Sequence, residues 1–331
     1  MIAEVIVDIA SGETDRIYDY LCGDETQAGS RVRVPFGGKV VPGFVIRLKE
    51  TSDCPTEKLK RAFPCPDERP ALNTECLALA GKLAARYRVP MALCLRLFLP
   101  SEMRAGKVRE LKKNYASLLV PLSEMKLSRT AKNQFGAAEY LEKNGKTECG
   151  FLNGLFPGGV SALEKKGYVS VAKEQILRDP YKGMESASAE HVLTADQRAA
   201  VEKIKLDGRT VQLLHGVTGS GKTEIYLTLI AECLKEGKSS IFLVPEISLT
   251  PQMLSQLRAR FGRNAAIMHS GLSAGEKFDE WWRMRSGEAK IAIGARSAVF
   301  SPLENLGVII VDEEHDSSYS SCLLYTSPSP R

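Results

Sequence analysis

Hydrophobic and polar positions change their spacing along the chain, and these changes divide it into segments. Residues 1–103 carry short apolar runs broken by glycine and proline, among them AEVIVDIA, YDYL, RVRVPFG and VPGFVIRLK. Alternation with a period of two, with turn residues at short intervals, predicts a small β-rich domain. The segment closes with TECLALAGKLAARYRVPMALCLRLFLP, whose apolar positions recur every three or four residues and therefore predict helix.

The next segment, residues 104–178, opens with the basic stretch RAGKVRELKKNY and continues with short helical patterns. In ALEKKGYVSV a helix ends near Gly167 and leads into a strand, and this succession predicts a winged-helix domain. A generic small helical domain remains the alternative. The stretch DPYKGMESASAE is rich in small and polar residues and predicts a linker over residues 179–190.

Residues 191–320 show a third pattern. The short, β-branched runs TVQLLHG, SIFLVPE, AAIMH, KIAIGA and LGVIIVDEE alternate with the helical patterns TEIYLTLIAECLKEG and PQMLSQLRARFG. Such alternation predicts a parallel sheet covered by helices on both faces. The whole chain is therefore predicted to be a multidomain α/β protein.

Composition narrows this picture only slightly. The net charge of +5 permits a polyanionic partner without singling one out, and the hydrophobic content of 44% is ordinary for a globular protein. No apolar run is long enough to span a bilayer, and acidic residues stand where a signal peptide would be basic, so we expect a cytoplasmic protein. The eight cysteines form no CxxC pair and fit no zinc spacing, which predicts scattered reduced thiols.

The motif GVTGSGKT at residues 216–223, here called the phosphate loop, matches G-x-x-x-x-G-K-[ST] between a predicted strand and a predicted helix. Gly216, Gly219 and Gly221 allow the backbone to wrap closely, so that successive N–H groups point at phosphate oxygens near a helix N-terminus. Lys222 is expected to reach the β- and γ-phosphates. The Thr223 hydroxyl is expected to ligate Mg²⁺.

The partner motif is VIIVDEEH at residues 308–315. A carboxylate at the end of a buried strand is costly unless it serves a cation, and Asp312 stands where it could face Mg²⁺. Glu313 is placed to polarise the attacking water. Taken alone the motif could be a solvated acidic turn, but its order after the phosphate loop favours catalysis.

The DEEH motif after a phosphate loop resembles superfamily 2 helicases. LTADQ resembles the adenine-reading element of these motors, which makes Gln197 the expected base contact. LVPEISLTPQ and IAIGARSAVFSP resemble the motifs that grip the backbone of a single strand, and in the latter Arg296 and Ser297 are the expected phosphate ligands.

Together with GVTGSGKTEIY and VDEEHDSSY, these motifs resemble one family in particular, the primosomal replication-restart helicase PriA, also called primosomal protein N′. The match runs in order over nearly the whole chain. It implies an ATP-dependent 3′-to-5′ DNA helicase that uses ATP and Mg²⁺, recognises stalled or abandoned forks and restarts replication by primosome assembly. The implied partners are branched and single-stranded DNA with a 3′ end, primosome proteins and single-strand-binding protein.

In that family the N-terminal domain captures the 3′ end of a nascent strand. IYDYL matches its aromatic-Asp-Tyr element, RVRVPFGG its VPFG turn and KLKRAF its following lysine, so the resemblance implies DNA contacts at Tyr18, Asp19, Tyr20, Gly37 and Lys60. Aromatic faces can stack on a terminal base, a carboxylate can accept the 3′-hydroxyl proton, and a lysine can meet a phosphate. Core packing of the tyrosines and simple surface exposure of the lysine remain alternatives.

Several parts of the family are missing from this sequence. A second RecA-like lobe with its arginine motif, and the cysteine-rich insertion that binds structural Zn²⁺, have no counterpart here. The stretch CLLYTSPSPR resembles the translation of a transposase-type sequencing adapter, so we expect native sequence to end near Tyr319 or Ser320 and residues 321–331 to be a non-native tail; a natural Ser/Pro tail is the alternative. We therefore expect an N-terminal fragment that binds DNA but does not unwind it.

Two other interpretations stay open. The chain could be a DNA-binding adaptor with a vestigial nucleotide-binding fold. It could also belong to another superfamily 2 motor, such as a nuclease-associated translocase, although the VPFG and IYDYL elements argue against that.

Overall fold

The computed structural model describes residues 1–9, 11–65, 67, 69–104, 108, 111–128, 130–178, 192–204, 206, 210–217 and 219–319. They form two compact units, one from Met1–Val108 with Pro180–Arg331 and one from Arg109–Asp179. The predicted linker and the predicted tail lie outside the described residues. Among those described, no helix is long and apolar enough to cross a bilayer.

The chain begins with an antiparallel sheet, which confirms the predicted β-rich start. Its strands are β1 (Ile2–Val7), β2 (Ile17–Leu21), β3 (Arg31–Phe36), β4 (Lys39–Lys49) and β5 (Phe63–Pro64), in the order β2-β1-β4-β3-β5. Helices α1 (Thr74–Tyr87), α2 (Met91–Leu97) and α3 (Ser101–Arg104) follow. One sheet face buries valines such as Val5, Val34 and Val45, and Phe44 on the other face packs with α1 and α2.

The unit Arg109–Asp179 combines three strands with three helices. It contains β6 (Leu111–Leu118), α4 (Lys132–Asn144), β7 (Thr147–Glu148), α5 (Cys149–Leu155), α6 (Gly159–Lys165) and β8 (Val169–Ile176), with the antiparallel strand order β7-β6-β8. Gly167 lies in the left-handed region (φ 74°) between α6 and β8, where the helix was expected to turn into a strand. The winged-helix assignment stays a prediction, because this set of elements is common to several small folds.

The remaining segment contains the predicted parallel sheet. Its elements are α7 (Ala195–Lys203), α8 (Lys222–Lys235), β9 (Ser239–Leu243), α9 (Pro251–Phe261), β10 (Ala265–Met268), α10 (Ala274–Arg285), β11 (Ile291–Gly294) and β12 (Leu306–Val311). The strand order is β10-β11-β9-β12, and every pairing is parallel. Alternate side chains of β9 enter two cores: Phe242 packs with α8 and α9, whereas Ile241 packs with Met284 of α10. Helices therefore cover both faces, as predicted.

One predicted strand is wrong. TVQLLHG stays outside the sheet, and Val211 and Leu213 are 102% and 79% exposed. Strand β12 pairs only with β9 among the described strands, and Ile309 and Val311 on it are also exposed. An apolar alternating sequence forms a strand only where a neighbouring strand supplies hydrogen bonds and a buried face. Residues 210–217 pair with no described strand, although Leu214 packs against the parallel-sheet core.

The first and last segments share a core, although the sequence pattern separates them. Helix α10 packs Phe278 and Trp281 into the cluster that contains Phe98. The Trp281 indole N–H donates to the Phe98 carbonyl at 2.8 Å, and Arg285 Nε donates to the Pro70 carbonyl at 3.1 Å. The N-terminal sheet and the parallel sheet therefore belong to one structural unit.

Candidate nucleotide site and candidate DNA contacts

The parallel sheet brings several polar segments to one edge. Because β9, β11 and β12 run in the same direction, the segments that follow their carboxyl ends emerge together. Arg296 and Ser297 follow β11 and begin a short 3₁₀ helix, where both are exposed. Asp312 and Glu313 follow β12. Residues that are distant in sequence are thus placed on the same side of the sheet.

The phosphate loop needs its glycines for two physical reasons. Gly219 and Gly221 both have φ of 79°, a conformation that disfavours other residues. At Gly216 an added Cβ would lie 2.9 Å from Ser220 Oγ, so a side chain there would require the Ser220 hydroxyl to move. Helix α8 starts at Lys222, directly after Gly221, and no side chain caps its N-terminus. The uncapped start of a helix can bind an anion.

Lys222 folds back over the loop. Its ammonium donates to the Gly216 carbonyl at 2.9 Å and lies 4.0 Å from Glu313 Oε1. The ammonium therefore lies between the loop and the acidic end of β12. A phosphate bound on the loop would offer this cation a more strongly charged acceptor than the carbonyl.

Asp312 ends the sheet ladder, with its N–H donating to the Leu243 carbonyl at 2.9 Å. Burial raises the pKa of Asp312 above its ordinary value, and the neighbouring Glu313 adds to the rise, while Lys222 and the Tyr226 hydroxyl oppose it. A half-buried carboxylate of this kind is stabilised by a cation. Glu313 itself adopts a left-handed backbone conformation with φ of 48°.

The oxygen donors present fit Mg²⁺. Thr223 supplies a hydroxyl and Asp312 a carboxylate, and Mg²⁺ is commonly held by one or two carboxylates together with substrate phosphates and water. No group of three His, Cys, Asp or Glu side chains that could hold a metal occurs in the part of the chain the structure describes.

Two tyrosines at this site were missed by the sequence analysis. Tyr226 of α8 is 7% exposed; burial, followed by the charge of Asp312, raises its pKa to about 12. The Tyr319 hydroxyl donates to the Asp312 carbonyl at 2.9 Å, and burial, together with nearby carboxylates, raises its pKa to about 12. Helical spacing could have revealed Tyr226, because it lies four residues after Lys222.

Gln197 lies against the phosphate loop, as its motif led us to expect. It forms a capping box with Thr194 at the start of α7, and its Nε2 donates to the Ser220 carbonyl at 3.2 Å. An added Cβ at Gly221 would lie 2.2 Å from that Nε2. The structure thus brings the glutamine to the loop, whereas its contact with a base stays a prediction.

In the N-terminal sheet, strand alternation places Tyr18 and Tyr20 on the same face. Tyr20 is 4% exposed and its hydroxyl donates to the Pro35 carbonyl at 3.2 Å. Tyr18 is half-buried and packs edge-on against Phe36, with ring centres 5.0 Å apart. The Tyr20 ring is a core side chain in this structure, so stacking on a base would need the Tyr18 ring or a rearrangement.

Asp19 points to the opposite face from the two tyrosines. There Lys49 Nζ lies 2.8 Å from Asp19 Oδ2, and the Ser52 hydroxyl donates to the same oxygen. Burial pulls the pKa of Asp19 upward, but Lys49 and Ser52 outweigh it, and the net pKa is lowered. From the sequence, Tyr18, Asp19 and Tyr20 were predicted to act as one group. The contacts of Asp19 with Lys49 and Ser52 were not predicted.

Gly37 and Lys60 lie close to these residues along the backbone. Gly37, with φ of 54°, forms the turn between β3 and β4 directly after Phe36, which contacts Tyr18. Lys60 is exposed, and its carbonyl accepts from the Leu21 N–H at 2.9 Å at the end of β2. The Lys60 side chain is therefore accessible beside the strand that carries Asp19.

Comparisons with known proteins match both parts of the larger unit. The model of the 3'DNA-binding domain (3'BD) matches residues 4–100, and that of the DEAD/DEAH box helicase matches residues 194–322. Replication restart protein PriA of Bacillus subtilis (strain 168) is 35% identical over 96% of this chain and 49% of its own length.

Two further relatives carry the same name. The PriA protein of Haemophilus influenzae is 34% identical over 92% of this chain and 43% of its own length, and that of Synechocystis is 49% identical over 50% of this chain and 20% of its own length. The chain thus spans less than half the length of these curated relatives.

Proposed function

We propose, for a chain that belongs to the PriA family of replication restart proteins, that the larger unit binds Mg²⁺·ATP at the phosphate loop and the 3′ end of a DNA strand on its N-terminal sheet. The observation that carries the proposal is the meeting of Lys222 with Glu313 at 4.0 Å beside a left-handed glycine loop and an uncapped helix N-terminus. This arrangement suits a nucleoside triphosphate better than any other ligand class.

The residues have separate roles in this proposal. The Lys222 ammonium exchanges the Gly216 carbonyl for phosphate oxygens, and the first N–H groups of α8 bind the same anion. The Thr223 hydroxyl and the Asp312 carboxylate hold Mg²⁺, which neutralises charge on the phosphates when bound. Glu313 accepts a hydrogen bond from the attacking water, and Gln197 reads the adenine.

DNA is proposed to meet two regions of the same unit. Asp19 accepts a hydrogen bond from the terminal 3′-hydroxyl, while Tyr18, Gly37 and Lys60 border the terminal nucleotide. Arg296 and Ser297, exposed at the start of their 3₁₀ helix, bind backbone phosphates; Tyr20 supports this surface from the core.

The whole-protein activity is likewise a proposal. We infer that the family member acts as an ATP-dependent 3′-to-5′ helicase that reloads the replication machinery at abandoned forks in the cytoplasm, together with primosome proteins and single-strand-binding protein. The described residues contain one parallel sheet, with the strand order β10-β11-β9-β12, and the family resemblance implies that unwinding also needs a second lobe with an arginine motif. We therefore propose that this chain binds nucleotide and DNA without unwinding.

A second candidate is a DNA-binding adaptor that holds nucleotide but does not hydrolyse it. The exposure of Val211, Gln212 and Leu213, shortly before the phosphate loop, favours it, because a loop without a strand before it is poorly fixed for catalysis. DNA-stimulated ATP hydrolysis by the chain would exclude the adaptor.

The proposal is tested by titrating the chain with a fluorescent ATP analogue in Mg²⁺. Lys222→Ala is expected to weaken binding about 100-fold, because an ammonium forms charge-assisted hydrogen bonds of about 1.5–3 kcal/mol with phosphate oxygens. Lys235→Ala, at the exposed far end of the same helix, is the matched control and should bind as the unsubstituted chain does. Equal affinity in the two variants would contradict a nucleotide site at the loop.

A further inference from the structure

Helix α8, whose N-terminus is part of the nucleotide site proposed above, carries a glutamate in its first turn. The helix starts at Lys222 after the N-cap residue Gly221, so Glu224 is the third helical residue. A glutamate or glutamine at this position commonly folds back and accepts a hydrogen bond from the N-cap N–H. That N–H is one of the donors that a phosphate at a helix start would use. The Glu224 carboxylate is therefore placed to compete with a phosphate.

Two other helices of the chain show this folding back. In α7, Gln197 Oε1 accepts from the Thr194 N–H at 2.9 Å, and in α10, Glu276 Oε2 accepts from the Ser273 N–H at 2.8 Å. Both contacts belong to complete capping boxes. The side chain of the third helical residue therefore reaches the N-cap N–H in helices of this chain.

In α8 the carboxylate is bound by an arginine of α9. Arg260 Nη1 forms an ion pair with Glu224 Oε1, and Arg260 Nη2 donates to the Thr228 hydroxyl at 3.3 Å. The Thr228 hydroxyl in turn donates to the Glu224 carbonyl at 2.8 Å. Residues four apart lie on one face of a helix, so the guanidinium spans one turn of α8. The Glu224 side chain is 16% exposed, so water and salt screen this pair less than they screen a pair on the open surface.

We propose that Arg260 is a positioning residue for nucleotide binding: it directs the Glu224 carboxylate to α9 rather than to the Gly221 N–H and offsets its charge, so that the start of α8 is available to phosphate. The inference rests on the nucleotide site proposed above. A second negative charge in the first turn of a helix opposes a bound anion, and a paired arginine removes that opposition. Arg260 touches no phosphate in this proposal and acts only through Glu224.

The test first removes the arginine. The chain is titrated with N-methylanthraniloyl-ADP in Mg²⁺ at low salt. Arg260→Gln is expected to bind about fivefold more weakly, because a side-chain cap at a helix start typically changes an equilibrium constant by about that factor. Arg260→Lys keeps the charge and should retain most of the affinity. Arg263→Gln is the matched control, because it removes an exposed ion pair with Glu288 outside the site.

A second substitution separates positioning from general damage. Arg260→Gln combined with Glu224→Ala should bind as tightly as the unsubstituted chain, because alanine neither caps the helix nor carries a charge. Glu224→Ala alone should bind at least as tightly as the unsubstituted chain. This variant also tests the inference if a circular dichroism melt shows that Arg260→Gln does not fold.

Three results would overturn this inference alone. They are an Arg260→Gln chain that binds like the unsubstituted chain, an Arg260→Gln chain that stays weak when Glu224→Ala is added, and a loss of affinity in Glu224→Ala by itself. An unsubstituted chain that bound no nucleotide would overturn the proposed function, and this inference with it.

Discussion

The proposed nucleotide site and the proposed 3′-end site differ in how the fold places residues that are near or far apart in sequence. At the nucleotide site, Lys222 and Glu313 are far apart in the chain yet meet at 4.0 Å. On the N-terminal sheet, Tyr18, Asp19 and Tyr20 are consecutive yet divided between the two faces of β2. Helix starts and parallel strand ends gather residues at one sheet edge, whereas a strand separates its neighbours. A motif written on a strand therefore has to be interpreted one face at a time.

Both sites nevertheless belong to one unit, and the largest effect is expected where the unit is joined. The chain has two tryptophans, adjacent on α10: Trp281 donates to the Phe98 carbonyl, whereas the Trp282 indole N–H is buried without a hydrogen-bond partner. Trp281→Phe should lower the free energy of unfolding by about 1–3 kcal/mol more than Trp282→Phe, because only the former strands a buried carbonyl. Urea unfolding measured by circular dichroism gives both values.

The same pair decides whether the two sites are coupled in stability. If Trp281→Phe and Trp282→Phe cost the same, the N-terminal sheet and the parallel sheet do not share a stabilising contact at Phe98. The two sites would then lie on sheets that do not stabilise each other through this contact.

A smaller effect is expected at the face of β2 that carries Asp19. Asp19→Asn should reduce the preference for a DNA strand ending in a 3′-hydroxyl over one ending in a 3′-phosphate by about tenfold, because a charge-assisted hydrogen bond contributes about 1.5–3 kcal/mol. Fluorescence anisotropy with end-labelled strands measures it. Asp24→Asn, at an exposed position between β2 and β3, serves as the control. An unchanged preference would show that the face of β2 that carries Asp19 does not recognise the 3′ end.

The opposite face is expected to respond less. Tyr20→Phe keeps the ring but removes the hydroxyl that donates to Pro35, so it should cost about 1 kcal/mol of stability and leave DNA affinity unchanged. A melt and an anisotropy titration on the same sample separate the two readouts. A loss of DNA affinity with no loss of stability would show that Tyr20 contacts DNA rather than the core.

How much the sequence could predict follows from the same contrast. The phosphate loop and the acidic strand end were predicted because fixed spacing at a helix start and a strand end dictates their position. Lys49 and Ser52 could not be found, because cross-strand neighbours depend on register, which a single sequence does not show. The strand predicted at TVQLLHG was wrong because its partner strand, not its own pattern, decides pairing. The position of Tyr226 beside Lys222 could have been predicted from helical spacing.

The smallest expected effect is on the loss of thermal stability at low pH. The pKa of Glu4 is lowered chiefly by Arg47, and that of Asp19 is lowered on balance by Lys49 and Ser52. A carboxyl with a lowered folded-state pKa contributes stability above its unfolded value of about 4, and this contribution is lost as pH falls through the folded-state value. Thermal melts between pH 7 and pH 3 should therefore fall less steeply below about pH 4 for Asp19→Asn than for Asp24→Asn. If the melting temperatures of the two variants fell in parallel with pH, Asp19 would not form its ion pair in solution.

The proposal that the phosphate loop and Asp312 bind Mg²⁺·ATP is tested by the dependence of nucleotide affinity on Mg²⁺. The measurement is the affinity of the chain for a fluorescent ATP analogue with Mg²⁺ and with EDTA, for the unsubstituted protein and for Asp312→Asn. Mg²⁺ is expected to tighten binding about tenfold or more in the unsubstituted chain and to have little effect in Asp312→Asn, since the substitution removes the carboxylate proposed to hold the ion. Equal magnesium dependence in the two proteins would contradict it.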